Sequence, residues 1–444
     1  MYAFKKEADL TAFESFVKAN KGIYLQSAKW ADVKKDWTHA FYSGFDDAGA
    51  CVLTALILGR RLPGVGMIWY CPAGAVCDYA DAALVKAFAD FMLREMKAAG
   101  VTALFFDPCI SLRVNGETQA DGVKTHQGLL NAGFSLNADA SRSLYKAPVQ
   151  LMLPLKTAEG AMVTPEALLK SFEKGVRYSV RVGENRGLTE KVYTAKDVAQ
   201  NPHILEEFAA VMRDTSDRND FTERDSDYIA RLLNVFGDDG MDIMLVYYDK
   251  NKDKALEAER LARKAQLEAQ LPTAPEKKLR GIKEEIESIE KQTAHFEERI
   301  KETETEGDLI AVAGGLTVHY NGMSSCLFGG ARDLLRNNLR ASHYFNFRRI
   351  CRSIALENDV HDLGYVLLKP TSLLPDGTLG PCEPREDFEG ICAFKKSFGA
   401  DYIEYIGEYV LVANKMKYFA YEKLFGLGKQ ARRVVNKIVK KTRT

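Results

Sequence analysis

The sequence predicts a mixed α/β (α+β) protein with two similar layered halves and an inserted helical hairpin. Strand and helix patterns alternate along most of the chain, which is typical of layered α/β folds. The same order of patterns occurs in residues 1–149 and again from residue 150 onwards. The segment 250–306 departs from this order, because Ala, Leu, Glu, Lys, Arg and Gln dominate it. These observations predict two related domains, with the hairpin inserted in the second.

In the first half, a helix is expected over about residues 25–37. Trp30, Val33 and Trp37 are spaced to share one face of such a helix. The patterns that follow predict strands at 50–58 and 66–70, a long amphipathic helix ending at Gly100, and a buried strand at 101–107.

The second half repeats this alternation. Its patterns predict helices at 165–187, 203–236 and 335–358, and strands at 241–249, 308–320, 362–368 and 409–414.

The segment 250–306 predicts an antiparallel hairpin of two helices around the turn "PTAP" at 272–275. Apolar residues of its second arm step by three and four, which is the spacing of a coiled-coil seam. The seam consists of Leu279, Ile282, Ile286, Ile289, Thr293, Phe296 and Ile300.

Composition narrows the classes of function. Sixty-one basic and 61 acidic residues cancel, so a site for a polyanion has to be local. The sequence shows neither a signal peptide nor the roughly 20 apolar residues that a membrane span needs. Eight scattered cysteines without a CxxC pair predict reduced thiols and no zinc site. We therefore expect a cytoplasmic protein without a metal centre.

The segment 429–444 carries seven basic residues and no acidic one. A solvated basic tail and a patch for anionic lipid or RNA are both open interpretations.

Common catalytic motifs are absent: no GxSxG, HExxH or GxxxxGK[ST] occurs. The stretch "RLPGVG", 61–66, matches an R-x-x-G-x-G loop that acetyltransferases use to hold acetyl-CoA. Such a loop needs a helix after it, whereas here a strand pattern follows. An acetyl-CoA-dependent N-acetyltransferase remains an alternative.

Several stretches, in order from about residue 20 to 415, resemble the Fem (FemABX) family of aminoacyl-tRNA-dependent peptidyltransferases. The matching stretches are "YLQSAKWADVKKDW", "RRLPGVGMIWYCPAGAVCDY", "ALFFDPCI", "GVRYSVRVGENRGLTE", "DTSDRNDFTERDSDYIARLL", "CLFGGARDLLRNN", "HDLGYV" and "FKKSFGADYIEYIGEYVLV". The chain departs from the family pattern with Ala75 for proline, Gly183 for alanine and Phe328 for tyrosine.

The resemblance implies two tandem acetyltransferase-like (GNAT-like) domains. The first would be 1–149 completed by 408–444, and the second 150–407 with the coiled-coil hairpin 250–306 inserted. It implies transfer of an amino acid from aminoacyl-tRNA to the stem-peptide amine of a peptidoglycan precursor, forming the interpeptide bridge. No bound cofactor is expected, since aminoacyl-tRNA is a co-substrate.

The resemblance also implies the partners. The acceptor would be lipid II or the soluble UDP-MurNAc-pentapeptide, with lipid II favoured. Contact of 429–444 with an anionic membrane at its inner face, and self-association into a homo-oligomer, are further expectations. The hairpin could bind tRNA, self-associate or dock a partner. A non-catalytic coiled-coil adaptor that binds RNA or a partner is the alternative from another class.

For substrate binding, the family's phosphate-binding lysine maps to Lys34 and its arginine to Arg218. Lysine and arginine pair with phosphate through charge-assisted hydrogen bonds. On sequence alone, Lys34 is more typical of a helix lysine that reaches to solvent, and Arg218 is also typical of a surface salt bridge to a flanking Asp.

Asp107 follows an apolar strand and precedes Pro108, and we assign it to positioning the attacking amine. A turn or capping aspartate is the alternative.

Phe394, Lys395 and Lys396 map to the segment that the family uses to stabilise the developing oxyanion or the tRNA 3′ end. We predict Phe394 and Lys395 as catalytic and Lys396 as substrate-binding, with a solvated lysine pair as the alternative. Phe328 is predicted to stack on substrate, unless it is a core phenylalanine.

Overall fold

A computed structural model describes residues 1–143, 148–219 and 224–423. The chain forms two compact units. The first comprises Met1–Met152, Tyr365–Lys396 and Asp401–Thr444, and the second Leu153–Gly364 with Ser397–Ala400.

Strands occur throughout the described chain. They are β1 Ala3–Lys6, β2 Thr38–Phe45, β3 Cys51–Leu62, β4 Gly66–Cys71, β5 Val76–Cys77, β6 Val101–Phe106, β7 Ser111–Val114, β8 Glu117–Thr118, β9 Ser135–Leu136, β10 Val149–Pro154, β11 Leu188–Tyr193, β12 Met241–Asp249, β13 Leu309–Tyr320, β14 Met323–Ala331, β15 Val360–Tyr365, β16 Asp401–Tyr405 and β17 Tyr409–Val412.

Helices alternate with these strands. They are α1 Leu10–Ala19, α2 Ala28–Val33, α3 Ala82–Ala98, α4 Ala120–Ala132, α5 Pro165–Ser171, α6 Lys174–Glu184, α7 Ala195–Gln200, α8 His203–Asn219, α9 Ser226–Phe236, α10 Lys250–Gln270, α11 Glu276–Glu302, α12 Arg336–Leu339, α13 Ala341–Ala355 and α14 Glu386–Lys396. Residues 415–423 are also helical.

The main sheet of the first unit has the strand order β1-β2-β3-β4-β6-β17-β9, and β5 pairs with β3. Strand β6 is buried along its whole length, as its continuous apolar run predicts. Helix α3 buries one apolar face, consisting of Leu84, Val85, Phe88, Ala89, Met92 and Met96. β4 and β6 run parallel, so their carboxyl ends meet at one edge of the sheet.

A second group of strands in the first unit, β10-β16-β7-β8, is antiparallel throughout. The Arg113 guanidinium donates to Glu404 (Nε 3.0 Å, Nη2 2.8 Å) and to the carbonyls of Leu379 and Gly380. Glu404 also accepts the Cys382 amide at 2.7 Å. Because both charges are buried, this pair has to be fully hydrogen-bonded to be tolerated.

These contacts explain why the first unit extends further than predicted. We expected 408–444 to complete it and 150–407 to form the second domain. Residues 365–396 and 401–407 instead belong with the first unit. Arg113 is distant from its partners in sequence, so no local pattern indicates this pairing.

The second unit contains the strand order β11-β12-β13-β14-β15, in which only the β14–β15 pair is parallel among the described strands. Helix α13 packs on this sheet. The buried cluster between them includes Leu188, Met244, Val246, Tyr248, Ile310, Val312, Leu339, Tyr344 and Phe345.

Helices α10 and α11 connect β12 to β13 along the chain, and these two strands are adjacent and antiparallel in the sheet. They run antiparallel, since Arg263 pairs with Glu285 at 2.8 Å and Thr293 donates to Glu257 at 2.6 Å. The predicted seam positions of α11 are buried or half-buried, while most other α11 residues are exposed. That this seam forms a coiled coil stays a prediction.

Several predicted helices are shorter than their sequence patterns. The helix expected at 25–37 is wrong in extent: α2 ends at Val33, and Trp37 lies beyond it in a turn, where its amide bonds to Lys34 O. The pattern at 165–187 divides at Phe172, whose backbone is extended. The pattern at 335–358 divides at Arg340, which adopts φ +56°.

Other predictions fall on single features. All eight cysteines are free thiols in the structure. Across the described ranges, no helix is long and apolar enough to cross a bilayer. The same ranges contain no group of three or more His, Cys, Asp or Glu side chains suited to a metal ion. The predicted basic tail, 429–444, lies outside the described residues.

His343 on α13 is expected to make the free energy of unfolding depend on pH. Its ring stacks on the Phe398 ring, with 6.2 Å between the ring centroids. Burial, and then the Arg340 charge, lower the pKa of His343 to about 4. The folded pKa lies below the unfolded one, so this contribution is complete above about pH 6.5 and is lost as the pH falls towards 4. Between pH 7 and 5 we expect a loss of about 2 kcal/mol from this residue.

Urea unfolding of the full chain at both pH values tests this expectation. His343→Gln should lose about 2 kcal/mol less than wild type between pH 7 and 5. His203→Gln, at an exposed position, is the control. Equal losses for wild type and His343→Gln would contradict the assignment.

Candidate active site

The candidate site of the first unit lies where β4 and β6 end. Cys71 and Phe106 are paired at this edge, and Tyr409 of β17 lies opposite Phe106 on the other side of β6. The carboxyl edge of parallel strands is where α/β proteins commonly bind ligands. The residues that follow these two strands are Pro72 after β4 and Asp107 after β6.

The Asp107 carboxylate is buried and holds the loop that follows β4. Its Oδ1 accepts the Ala73 amide at 2.7 Å, and its Oδ2 accepts the Tyr70 hydroxyl at 2.9 Å. Burial, and then the Asp107 charge, raise the pKa of Tyr70 well above its usual value. Tyr70 therefore stays a hydrogen-bond donor. Because each Asp107 oxygen already accepts a hydrogen bond, the carboxylate is better suited to positioning than to taking up a proton.

The loop held by Asp107 has an unusual backbone. Ala73 has φ +62°, a region that non-glycine residues seldom adopt. Gly74 has φ +74°, and a Cβ there would lie 2.5 Å from Tyr79 Oη. This conformation needs support from its surroundings.

Gln26 provides part of that support. Its side chain is 1% exposed, donates to Pro72 O at 2.6 Å and accepts the Leu56 amide at 2.8 Å. Sequence reasoning gave Gln26 no role, although it begins the Q-x-x-x-W motif. Gln26 and Asp107 together fix two successive residues of the loop.

Lys34 lies on the same segment as Gln26, at the C-cap of α2. Its ammonium is 4.6 Å from the centroid of the Trp30 ring, and Trp30 is itself buried against Tyr24. Lys35 is exposed. A cation–π contact of this kind restrains a lysine without neutralising its charge.

A second buried carboxylate, Glu408, precedes β17. It accepts the Asn137 side-chain amide at 3.2 Å, and its charge also raises the pKa of Tyr70. The next residue, Tyr409, places its hydroxyl 2.8 Å from His126 Nδ1. Tyr70 and Glu408 both lie in stretches that match the family, but the sequence predicted no role for either, because their contacts depend on which strands are neighbours.

Phe394, Lys395 and Lys396 form the last turn of α14 in the first unit. Lys395 Nζ donates to Tyr365 O at 2.7 Å, and Lys396 Nζ lies 4.4 Å from the Tyr402 ring centroid. Both lysines are thus held by named contacts rather than only solvated. Their predicted roles stay predictions.

Arg218 and Phe328 are in the second unit, where α8 packs on β14. Arg218 donates to Asp333 at 2.5 Å, Ala331 O at 2.7 Å and Thr215 Oγ1 at 3.0 Å. Arg218 thus forms a salt bridge to Asp333, which is distant from it in sequence. These bonds tie the end of α8 to the end of β14.

Phe328 is half-buried and lines a small pocket of about 20 Å³. The other lining residues are Leu205, Phe208, Ala209, Met212, Arg224, Ser226 and Ile229. The pocket lining is largely apolar, and the predicted stacking of Phe328 on substrate stays a prediction.

The stretch 61–66 is a hairpin between β3 and β4, with Leu62 paired to Gly66. No helix follows its glycines, so it lacks the backbone that a pyrophosphate loop needs.

A mixed α/β fold of this kind is also found in a solved structure. The crystal structure of FemX matches with a TM-score of 0.71 and 22% identity, and the match covers 94% of this chain and 99% of that one. The similarity confirms the predicted fold class.

The FemAB family profile matches residues 9–425, and the chain belongs to this family. The lipid II:glycine glycyltransferase of Staphylococcus epidermidis RP62A is 24% identical, covering 93% of both chains. That of Staphylococcus aureus MRSA252 is 25% identical, covering 91% of this chain and 92% of the relative. These matches confirm the prediction that the chain is an enzyme of the transferase class.

Proposed function

We propose that this chain transfers an amino acid from aminoacyl-tRNA to the stem-peptide side-chain amine of lipid II, forming an interpeptide bridge. The observation that carries the proposal is the match to lipid II:glycine glycyltransferases over more than nine-tenths of both chains. The donor, the acceptor atom and the absence of a bound cofactor are parts of this proposal.

In this reaction the acceptor amine attacks the ester carbonyl that joins the amino acid to tRNA. A tetrahedral oxyanion forms, and the tRNA 3′ oxygen leaves as the ester bond breaks. The amine loses a proton and the leaving oxygen gains one, so the reaction needs no oxidant or reductant. The protein has to position the amine, stabilise the oxyanion and bind the phosphates of both substrates.

The site residues fit these tasks as follows. Asp107 and Gln26 hold the 72–74 loop at the edge where β4 and β6 end. Lys34, whose ammonium lies over the Trp30 ring, would bind the acceptor pyrophosphate through a charge-assisted hydrogen bond. Lys395 and Lys396 would stabilise the oxyanion or a tRNA phosphate.

For Arg218 and Phe328 we keep the proposed substrate contacts. Arg218 carries positive charge at the end of α8 while three hydrogen bonds hold it in place.

The test is incubation of the full chain with tRNAs charged with radiolabelled amino acids and with lipid II. We expect tRNA-dependent label in the muropeptide released from lipid II. A parallel reaction with UDP-MurNAc-pentapeptide distinguishes the soluble acceptor, and one with labelled acetyl-CoA tests the acetyltransferase alternative. Failure of every charged tRNA to label either precursor would refute the proposal.

Lys34→Ala should raise the KM for lipid II about tenfold, because a charged hydrogen bond to phosphate is lost. We expect a smaller change in kcat. The matched control is Lys35→Ala, which removes an exposed lysine next to it. Equal effects of the two substitutions would contradict a specific role for Lys34.

A further inference from the structure

The helix at 415–423 exposes large apolar side chains on the first unit. Its inner side is anchored by Tyr421, which is 6% exposed and lies 5.6 Å from the Phe105 ring. Tyr418 stacks on Tyr421 at 5.9 Å. Met416 and Phe419 are 83% and 60% exposed. Three residues apart, they share one helical face.

Three exposed lysines lie on the same helix as these two apolar side chains. Lys415, Lys417 and Lys423 are exposed, and Lys423 Nζ lies 5.3 Å from the centroid of the Phe419 ring. One acidic residue, Glu422, accompanies them. Lys415, Met416, Phe419 and Lys423 are three or four positions apart and share one side of the helix. We call these four residues the lysine–apolar face.

We propose that the lysine–apolar face docks on the surface of a bilayer that contains anionic phospholipid. Membrane-surface helices combine apolar side chains that enter the acyl boundary with lysines that contact lipid phosphates. Charge complementarity supports this occupant, because the sequence that follows, 429–444, adds seven basic and no acidic residues. Stable peripheral binding to a membrane commonly needs two contributions, such as inserted apolar groups and a basic segment.

RNA would be the other polyanion for such a surface, but it accounts for less of the face. Lysines bind RNA and lipid phosphates equally well, whereas an exposed methionine gains little from phosphate. Burial of Met416 and Phe419 is favourable in the acyl boundary of a bilayer. The apolar pair therefore favours the membrane.

Flotation of the full chain with vesicles tests the proposal without using transferase activity. One set of vesicles is phosphatidylcholine alone, and the other contains about 30% phosphatidylglycerol, which supplies the negative surface charge. Wild type should bind the anionic vesicles, and the binding should weaken with added salt. Met416→Ser/Phe419→Ser should bind them about tenfold more weakly, because the lysines alone remain.

Leu261→Ser is the matched control, since Leu261 is an exposed apolar residue on α10. It should bind like wild type. The unfolding midpoint of each variant shows that the fold is retained.

Wild type that does not bind anionic vesicles would overturn the proposal, and so would unchanged binding by the double variant. If wild type did not bind vesicles but bound tRNA, and if Lys415→Gln/Lys423→Gln weakened the tRNA binding, the face would be assigned to RNA. Because flotation needs no substrate, a negative result here leaves the transferase proposal unaffected, and the reverse also holds.

Discussion

Asp107→Ala is expected to lower kcat for amino acid transfer about 100-fold, because misplacement of a site by about 1 Å has effects of that size. The substitution removes the acceptor for the Ala73 amide and for the Tyr70 hydroxyl, both held within 2.9 Å. Ala73 then has no carboxylate to hold its positive φ. The loop after β4 should relax away from the geometry that the substrates require.

Asp107→Asn separates positioning from proton transfer. The amide oxygen can still accept the Ala73 amide, and the Tyr70 hydroxyl can rotate to accept from the new NH₂ group. We therefore expect Asn to retain much more activity than Ala. Steady-state kinetics with lipid II and charged tRNA measure both variants.

Asp90→Ala is the control for Asp107, since Asp90 is an exposed carboxylate on α3 of the same unit. It should leave kcat unchanged. A folded Asp107→Ala enzyme with wild-type kcat would show that the loop is not part of the site. An Asn variant as inactive as Ala would instead assign Asp107 to proton transfer.

The second large effect is expected at the base of the helical hairpin. Asp253 is fully buried and accepts Arg299 Nε at 2.8 Å, Arg299 Nη2 and the Tyr248 hydroxyl at 2.8 Å. Arg299 is 1% exposed and also donates to Asn338 Oδ1 at 2.9 Å. Asp253→Ala would leave the arginine charge buried and uncompensated.

We expect Asp253→Ala to lower the free energy of unfolding of the second unit by about 3–5 kcal/mol. The double variant Asp253→Leu/Arg299→Met should recover most of this loss, because it removes both charges. Urea unfolding of the full chain measures the two variants. The matched control is Glu285→Ala, which breaks the exposed pair with Arg263 and should change stability by less than about 1 kcal/mol.

If Asp253→Ala were as stable as Glu285→Ala, the buried hydrogen bonds between Asp253 and Arg299 would be dispensable for stability. That outcome would also contradict our interpretation that these buried contacts hold the base of the hairpin in a fixed position. Lys250 supports this view independently, since its buried ammonium donates to the carbonyls of Thr303 and Glu306.

The sequence predicted part of the candidate site. Lys34 and Asp107 were named from the residues that match the family, and both lie in the first unit with defined contacts. Gln26, Tyr70 and Glu408 were missed as partners of the 72–74 loop and its edge. Gln26 is 46 residues from Pro72, and Tyr70 is 37 from Asp107.

The limits of the helix predictions have a similar origin. The 3.6-residue pattern continues through residues 25–37, but α2 ends at Val33 before the chain enters β2. The spacing of apolar residues indicates which side chains favour the interior. The end of a helix also depends on where the next strand has to begin.

The sequence by itself determined the mixed α/β class, some of the strands and helices, the apolar stripe of α11 and the family. Each of these depends on residues within a few positions of one another, or on motifs in a fixed order. The tertiary structure alone decided that 365–396 and 401–407 belong to the first unit, that Arg218 pairs with Asp333, and that Asp253 and Arg299 form a buried pair. These contacts join residues dozens to hundreds of positions apart, and their energies depend on burial, which exists only once the sheets are packed.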